Sequence, residues 1–271
     1  MIAYNTKGHS LESKPGFGGL ITTNPDPPVN VGENISIRLP DTLGLVWEDG
    51  ADNGGDIILD YRISYAEVGQ EYVVLQSGIQ TKSYIVSGLS AGIFYKFKVQ
   101  ARNSYGYSDF SEEFVILCAS VPEAPAAPVT SRVVDKVQVS WTAPYDNGSP
   151  ITGYKVYIRE NDSLVYTQES SYCVENDLGT SCQILLTLLA AEPWNLGLNV
   201  DIWAKVIAVN QYGDSPLSAG GNGAINKLVP DAPVALTNDF ASTDNQKIRF
   251  TWSDGASDGG VTIIDYEILY N

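Results

Sequence analysis

Three times along the chain, apolar side chains alternate with polar ones into a tryptophan, break at a loop containing glycine, and resume from a tyrosine. The copies are Leu43, Leu45, Trp47 before Tyr61, Ile63, Tyr65; Val137, Val139, Trp141 before Tyr154, Val156, Ile158; and Ile248, Phe250, Trp252 before Tyr266, Ile268, Tyr270. A period of two places each set on one face of a strand, so each copy predicts two strands around a loop, with these residues turned toward a core. Tyr95, Phe97, Val99 and Ala101 predict a later strand at the same spacing. No long amphipathic helical period interrupts the pattern.

Two further phrases share the period. Ala3-x-Asn5-x-x-Gly8-x-Ser10 returns from Ala101 to Ser108 and from Ala208 to Ser215, its asparagines 98 and 107 residues apart. A proline-rich phrase runs Asn24-Pro25-Asp26-Pro27-Pro28, Val121-Pro122-Glu123-Ala124-Pro125 and Val229-Pro230-Asp231-Ala232-Pro233, its second residues 97 and 108 apart. Self-similarity at a fixed period marks a chain of repeated units.

Units of this length, with short alternating strands, an early core tryptophan and a tyrosine in the penultimate strand, describe an all-β immunoglobulin-like antiparallel sandwich. The chain here resembles the fibronectin type III family. The resemblance rests on the proline-rich starts, on Trp47, Trp141 and Trp252, on the run Asp146-Asn147-Gly148-Ser149-Pro150-Ile151-Thr152-Gly153-Tyr154, and on the Ala-x-Asn-x-x-Gly-x-Ser turn. It implies full domains at 23–119 and 120–228 and partial ones at 1–22 and 229–271. With Met1 aligned to Val99 and Asn271 to Ala66, the two partial domains together lack the equivalents of residues 67–98, so the expectation is a window on a longer array. Ile202 stands where the first full domain has Tyr95, with Trp203 on the opposite face, and this departure removes the usual corner-tyrosine hydrogen bond.

Composition narrows the function. Glycine (25), proline (14) and tyrosine (16) favour strands and turns. A formal net charge of −16 repels phosphate backbones and anionic lipid, so nucleic acid is not an expected partner. No stretch has the length and apolarity of a membrane span, and the first residues lack a signal peptide's basic and apolar regions. With one histidine, His9 in a turn, and no GxSxG, GxxxxGK[ST], HExxH or CxxC pattern, neither a catalytic residue nor a cofactor is expected. Arg-Gly-Asp is also absent.

Asp49, Asp52, Asp56 and Asp60 crowd one loop, and Asp254, Asp258 and Asp265 a similar one. Hard oxygen ligands at short spacing are calcium chemistry, with Asp49, Asp52, Asp56, Asp254 and Asp258 as its candidates. The same residue types also build tight turns by bonding their own backbone, and the equivalent loop at Asp146–Pro150 has a single acid. Cys173 and Cys182 flank the turn-forming Asn176, Asp177 and Gly179. A disulfide closing so short a loop contributes ~2 to 3 kcal/mol and implies an oxidising compartment, whereas two reduced thiols imply the cytosol. Cys118 ends a predicted strand, where a small buried side chain is expected. Three glycosylation triplets begin at Asn34, Asn147 and Asn161, the second disfavoured by Pro150. The stretch containing Ile184, Leu185, Leu186, Leu188, Leu189, Trp194, Leu196 and Leu198 is expected to close the base of its sandwich, and an exposed Trp203 would be an interface residue.

These features together predict a non-enzymatic structural array, extracellular or at the cell surface, partnered by copies of itself or by adjoining domains and assembling as a filament. A recognition ectodomain that binds protein or glycan through its loops is the alternative.

Overall fold

A computed structural model describes residues 1–16, 18–19, 21–161 and 163–270. Asp162 of the third glycosylation triplet and Asn271, aligned above with Ala66, lie outside the described residues. The chain divides into two compact units, Met1–Cys118 and Ala119–Asn271.

In the first unit a short hairpin, β1 (Tyr4–Asn5) and β2 (Gly8–His9), precedes strands β3 (Val29–Glu33), β4 (Thr42–Glu48), β5 (Asp60–Glu67), β6 (Val73–Ile79), β7 (Ser83–Ser87), β8 (Phe94–Arg102) and β9 (Phe114–Leu117). They pair antiparallel as two sheets, β3-β4-β7 and β6-β5-β8-β9. Between the sheets lie the residues the alternation singled out: Leu43, Leu45 and Trp47 from β4, Tyr61 and Ile63 from β5, and Tyr95, Phe97, Val99 and Ala101 from β8, all buried. Each large apolar side chain removed from water contributes about 1.5 to 3 kcal/mol, so these few strands supply most of what holds the sheets face to face. Trp47 meets Tyr61 edge-on at a centroid distance of 5.4 Å.

The second unit repeats the plan with β10 (Val129–Val133), β11 (Lys136–Ser140), β12 (Gly153–Arg159), β13 (Tyr166–Glu169), β14 (Ser181–Leu185), the one-turn helix α1 (Leu186–Leu189), β15 (Asp201–Asn210), β16 (Gly213–Asp214) and β17 (Gly221–Ile225). One sheet is β10-β11-β14; the other is β13-β12-β15-β16, with β17 also pairing with β15. Trp141 meets Tyr154 edge-on at 5.2 Å. Two strands of a third copy, β18 (Val234–Asn238) and β19 (Phe250–Ser253), pair antiparallel, and Trp252 meets Tyr266 at 5.3 Å.

The last-strand edges share a device beyond the quoted motif. Ser108 Oγ accepts the Ala101 amide and Ser111 Oγ the Val99 amide, both at 3.0 Å, while the serines' own amides donate to the carbonyls of Ala101 and Val99. Ser215 and Ser218 do the same for Ala208 and Val206, and Ser10 for Ala3. Hydroxyls thus replace main-chain carbonyls where the chain approaches β8 and β15 before regular pairing resumes. The second serine recurs three residues after the first in every copy, a sequence signal that the shorter motif left out.

The two sandwiches close their bases differently. In the first, the Tyr95 hydroxyl accepts the Ser90 amide at 3.0 Å, tying the connection before β8 to the strand. In the second, Ile202 fills that position, and Leu186, Leu189, Trp194 and Leu196 are buried around it. The tie passes to Asn226, fully buried, whose Nδ2 donates to the carbonyls of Leu196 (2.9 Å) and Gly197 (3.0 Å). Tyr95→Phe is therefore expected to lower the unfolding free energy by about 1 to 2 kcal/mol, because the Ser90 amide loses its acceptor without a change of shape. Denaturant unfolding monitored by tryptophan fluorescence measures this as a lower midpoint at unchanged slope.

Candidate functional site

The acid- and glycine-rich loop between β4 and β5 holds the proline-rich segment that leads into its own sandwich. Thr23 donates its amide to the Gly54 carbonyl at 3.0 Å, and Asp26 donates to Asp52 at 2.8 Å. In the second unit Ser120 donates to Asn147 and Glu123 to Tyr145, and in the third copy Leu228 donates to Gly259 and Asp231 to Ser257. A side chain on Gly54 would stand 2.3 Å from the Thr23 carbonyl, and one on Gly259 2.2 Å from that of Leu228, so glycine alone permits the approach at both places. Asn103 locks this arrangement by donating from Nδ2 to the carbonyls of Thr23 (2.7 Å) and Asn53 (2.9 Å), while its Oδ1 accepts the Tyr105 and Gly106 amides. Asn210 similarly donates to the carbonyls of Ser120, Asp146 and Ser149. The repeated asparagine is a three-way clamp on backbone, and that role accounts for its recurrence.

The calcium candidates are committed to these turns. Asp52 accepts the Gly54 amide and Asp56 that of Ile57; Asp258 accepts that of Gly260. Asp49 accepts the Tyr61 hydroxyl and pairs with Lys82 at 2.7 Å, and Asp254 accepts the Tyr266 hydroxyl. Among the described residues, no three His, Cys, Asp or Glu side chains converge as an ion site would need. These contacts are the ones the turn-forming reading of the same acids requires. Burial alone would raise the Asp49 carboxyl, but Lys82 and the Tyr61 hydroxyl outweigh it and hold the group below its usual range. Burial, reinforced by Asp49, pushes the Tyr61 hydroxyl far above the ordinary tyrosine value. Asp26, Asp49, Asp52, Asn53, Gln80 and Lys82 line a cleft of about 630 Å³ in the first unit.

In the second unit Cys173 and Cys182 form a disulfide with their Cα atoms 5.4 Å apart. Beside it Glu169, 0 % exposed, accepts the amides of Ser171 (2.8 Å), Tyr172 and Cys173 (3.0 Å) on its two carboxylate oxygens. This buried anion in a nest of three backbone donors escaped the sequence reading. Nothing in the linear pattern marks it; the strand register, opposite the core residue Val156, turns it inward. The loop so held gives the Glu175 carbonyl to the Tyr154 amide at 2.9 Å. Cys118 is buried; its thiol donates to the Pro40 carbonyl at 3.2 Å, and burial pushes it up to about 11. A thiol so protonated is a poor nucleophile.

The outer face of each larger sheet alternates cations with rings. Arg62 lies 3.9 Å from the Tyr107 centroid, and Lys96 and Lys98 lie over Tyr72 at 4.5 and 4.9 Å. In the second unit Arg159 covers Trp203 at 5.2 Å, leaving that indole half-buried, and Lys205 lies over Tyr166. Of the glycosylation candidates, Asn147 is only 7 % exposed and its Nδ2 donates to the Val121 carbonyl at 2.8 Å, so a glycan there would displace a structural hydrogen bond. His9 is exposed in its hairpin, and its Nδ1 lies 3.1 Å from the Ser10 carbonyl.

These paired antiparallel sheets, with a tryptophan of the smaller sheet against a tyrosine of the larger, define tandem immunoglobulin-like sandwiches. Residues 27–116 match the family model described as "Fibronectin type III domain". The chain is 30 % identical over 209 residues to human Fibronectin type-III domain-containing protein 3A, an alignment covering 73 % of this chain and 17 % of that one. It is 26 % identical over 254 residues to the Tyrosine-protein phosphatase Lar-like of Caenorhabditis elegans, covering 91 % of this chain and 11 % of that one. The crystal structure of chicken CNTN1 FN1-FN3 domains aligns over 85 % of this chain and 76 % of its own, at 20 % identity and a TM-score of 0.35. The chain belongs to the fibronectin type III family, as a tandem array of its domains. It spans about a fifth of the length of the protein 3A relatives. The fold is not a catalytic one, and among the described residues no helix is long and apolar enough to cross a membrane.

Two measurements test this geometry. Because the Asp49 carboxyl is depressed in the folded state, its contribution is present above the ordinary aspartate value near pH 4 and is lost as pH falls through the folded value. Asp49→Asn is thus expected to cost about 1 kcal/mol at pH 7, with the gap to the parent closing below about pH 4, read from urea titrations at several pH values. Glu169→Ala leaves three amides without their acceptor, that of Cys173 buried, and is expected to cost about 2 to 3 kcal/mol, while Glu169→Gln, which keeps one oxygen acceptor, recovers part of that loss in thermal unfolding.

Proposed function

We propose that the chain is a non-enzymatic structural segment of an extended extracellular or cell-surface protein, divided at residues 23, 120 and 229 into consecutive domains and partnered by adjoining domains of the same polypeptide. The observation that carries this reading is the thrice-repeated docking of the entry segment onto the loop between the tryptophan and tyrosine strands. Ser120 already donates to Asn147 of the next sandwich only two residues after Cys118 closes the first by donating to Ile93. The disulfide supports an oxidising compartment.

Lateral assembly into a filament is the finer part of the proposal. Its support is β6, which pairs on one side with β5 and carries the exposed Val73 and Val74. An edge strand with apolar side chains is a template for another chain. The cleft at Asp49 and Lys82 favours, as a second reading, recognition of a polar ligand through the loops.

Labelling of source cells with a membrane-impermeant reagent, followed by cysteine mapping without reductant, tests the compartment. Surface labelling together with a Cys173–Cys182 peptide is expected. A chain confined to the cytosol with all three thiols alkylated overturns the proposal. Electron microscopy of the same native material is expected to show laterally packed fibres, and isolated single strings would remove the filament while leaving the spacer.

A further inference from the structure

Three asparagine triplets have the composition of glycosylation acceptors, and the structure treats them unequally. We propose that Asn34 is an N-linked glycosylation site of this chain, an inference that rests on the extracellular reading above. Asn34 lies between β3 and β4 as the N-cap of a single 3₁₀ turn, Ile35–Ile37. Its Oδ1 accepts the Ser36 amide at 3.2 Å, and its backbone is fixed by donation to the Gly44 carbonyl and acceptance from Ile37. The local fold therefore occupies every polar atom of the residue except Nδ2, the atom a glycan joins. Among the described residues Nδ2 has no hydrogen-bond partner, and it is not sealed from solvent. Asn34 is half-buried, while Ile35 is 77 % exposed and Ser36 is also exposed, so the two residues that follow the acceptor stand at the surface.

The other two differ at the reacting atom or beside it. At Asn147, Nδ2 is the atom that holds the Val121 carbonyl, in a residue 7 % exposed with a left-handed backbone, φ +53°. At Asn161 the amide oxygen is shielded from solvent and the backbone donates to Trp194 at 2.8 Å. A bulky, hydrated oligosaccharide is compatible with a free nitrogen at the surface and costs a structural bond where that nitrogen is already used.

The chemistry is a group transfer. Nδ2 of Asn34 displaces the lipid pyrophosphate from the anomeric carbon of a lipid-pyrophosphate-activated oligosaccharide: the carbon–oxygen bond breaks with its electron pair leaving on the lipid pyrophosphate, a carbon–nitrogen bond forms, and the amide surrenders one proton to the transferase. No oxidant or reductant is required.

The test uses full-length protein from its source cells, digested without reductant and treated with peptide N-glycosidase in heavy-oxygen water. The expected result is an Asn34 peptide converted to labelled aspartate in most molecules, an unmodified Asn147 peptide, and an intact Cys173–Cys182 peptide. An unmodified Asn34 beside an intact disulfide overturns the glycan and leaves the extracellular reading standing. An unmodified Asn34 with both cysteines alkylatable overturns both, and a glycan on Asn147 overturns the geometric selection. Ser36→Ala, expressed in the same cells, keeps the Asn34 turn because the backbone amide of residue 36 remains; it is expected to abolish the label at Asn34 with no loss of secreted yield.

Discussion

The entry segments of the first sandwich and of the third copy dock onto a steric vacancy, whereas in the second sandwich Asn147, in a left-handed backbone at φ +53°, takes the corresponding place. The carbonyl of Thr23 comes within 2.3 Å of where a side chain on Gly54 would begin, and Leu228 repeats the approach at Gly259. Because those places are empty, the incoming segment can lie against the loop between the tryptophan and tyrosine strands and exchange hydrogen bonds with it. Asn103 and Asn210 then reach carbonyls that come together only once that contact is made. The acids of the loop serve the same end: they satisfy the amides that the tight glycine turns would otherwise leave bare, and in two copies they receive the hydroxyl of the tyrosine packed on the core tryptophan.

The second sandwich shows how the same plan tolerates the loss of one of its ties. Without the tyrosine at position 202, the base is filled by leucines and Trp194, and the polar tie moves to a buried asparagine contributed from after β17. A disulfide and the buried Glu169 hold a loop that has no counterpart in the first sandwich. Both devices act on backbone amides and carbonyls. A connection too long and irregular to pair as strand still has to satisfy its peptide groups, and covalent closure together with a charged acceptor does so without a ladder.

Charge is distributed unevenly on this acidic chain. On the outer faces of the larger sheets, arginines and lysines lie over tyrosine and tryptophan rings instead of extending into solvent. Contacts of this kind are worth about 0.5 to 1 kcal/mol where exposed, and they cover aromatic surface that would otherwise be sticky.

The alternation of apolar residues was enough to place Leu43, Leu45, Trp47, Phe97, Val137 and Val156 in the cores, because a period of two can bury only one face of a strand. Repetition of the asparagine and proline phrases likewise marks the array, since like local chemistry folds alike. What the linear pattern left open was how side chains would be used by distant backbone. The acids of the first loop have a composition shared by ion ligands and turn formers, and it is the tertiary structure that sets Tyr61, Lys82 and the glycine amides around them. Glu169 is turned inward by its register opposite Val156, a pairing that only the folded sheet defines. Asn34 and Asn147 have the same triplet chemistry, yet one amide nitrogen is open and the other grips Val121. Burial of apolar residues is settled within a strand, by neighbours two positions away. The partner of a polar group is settled by whichever peptide the tertiary fold brings within 3 Å, and that peptide is often more than 20 residues distant.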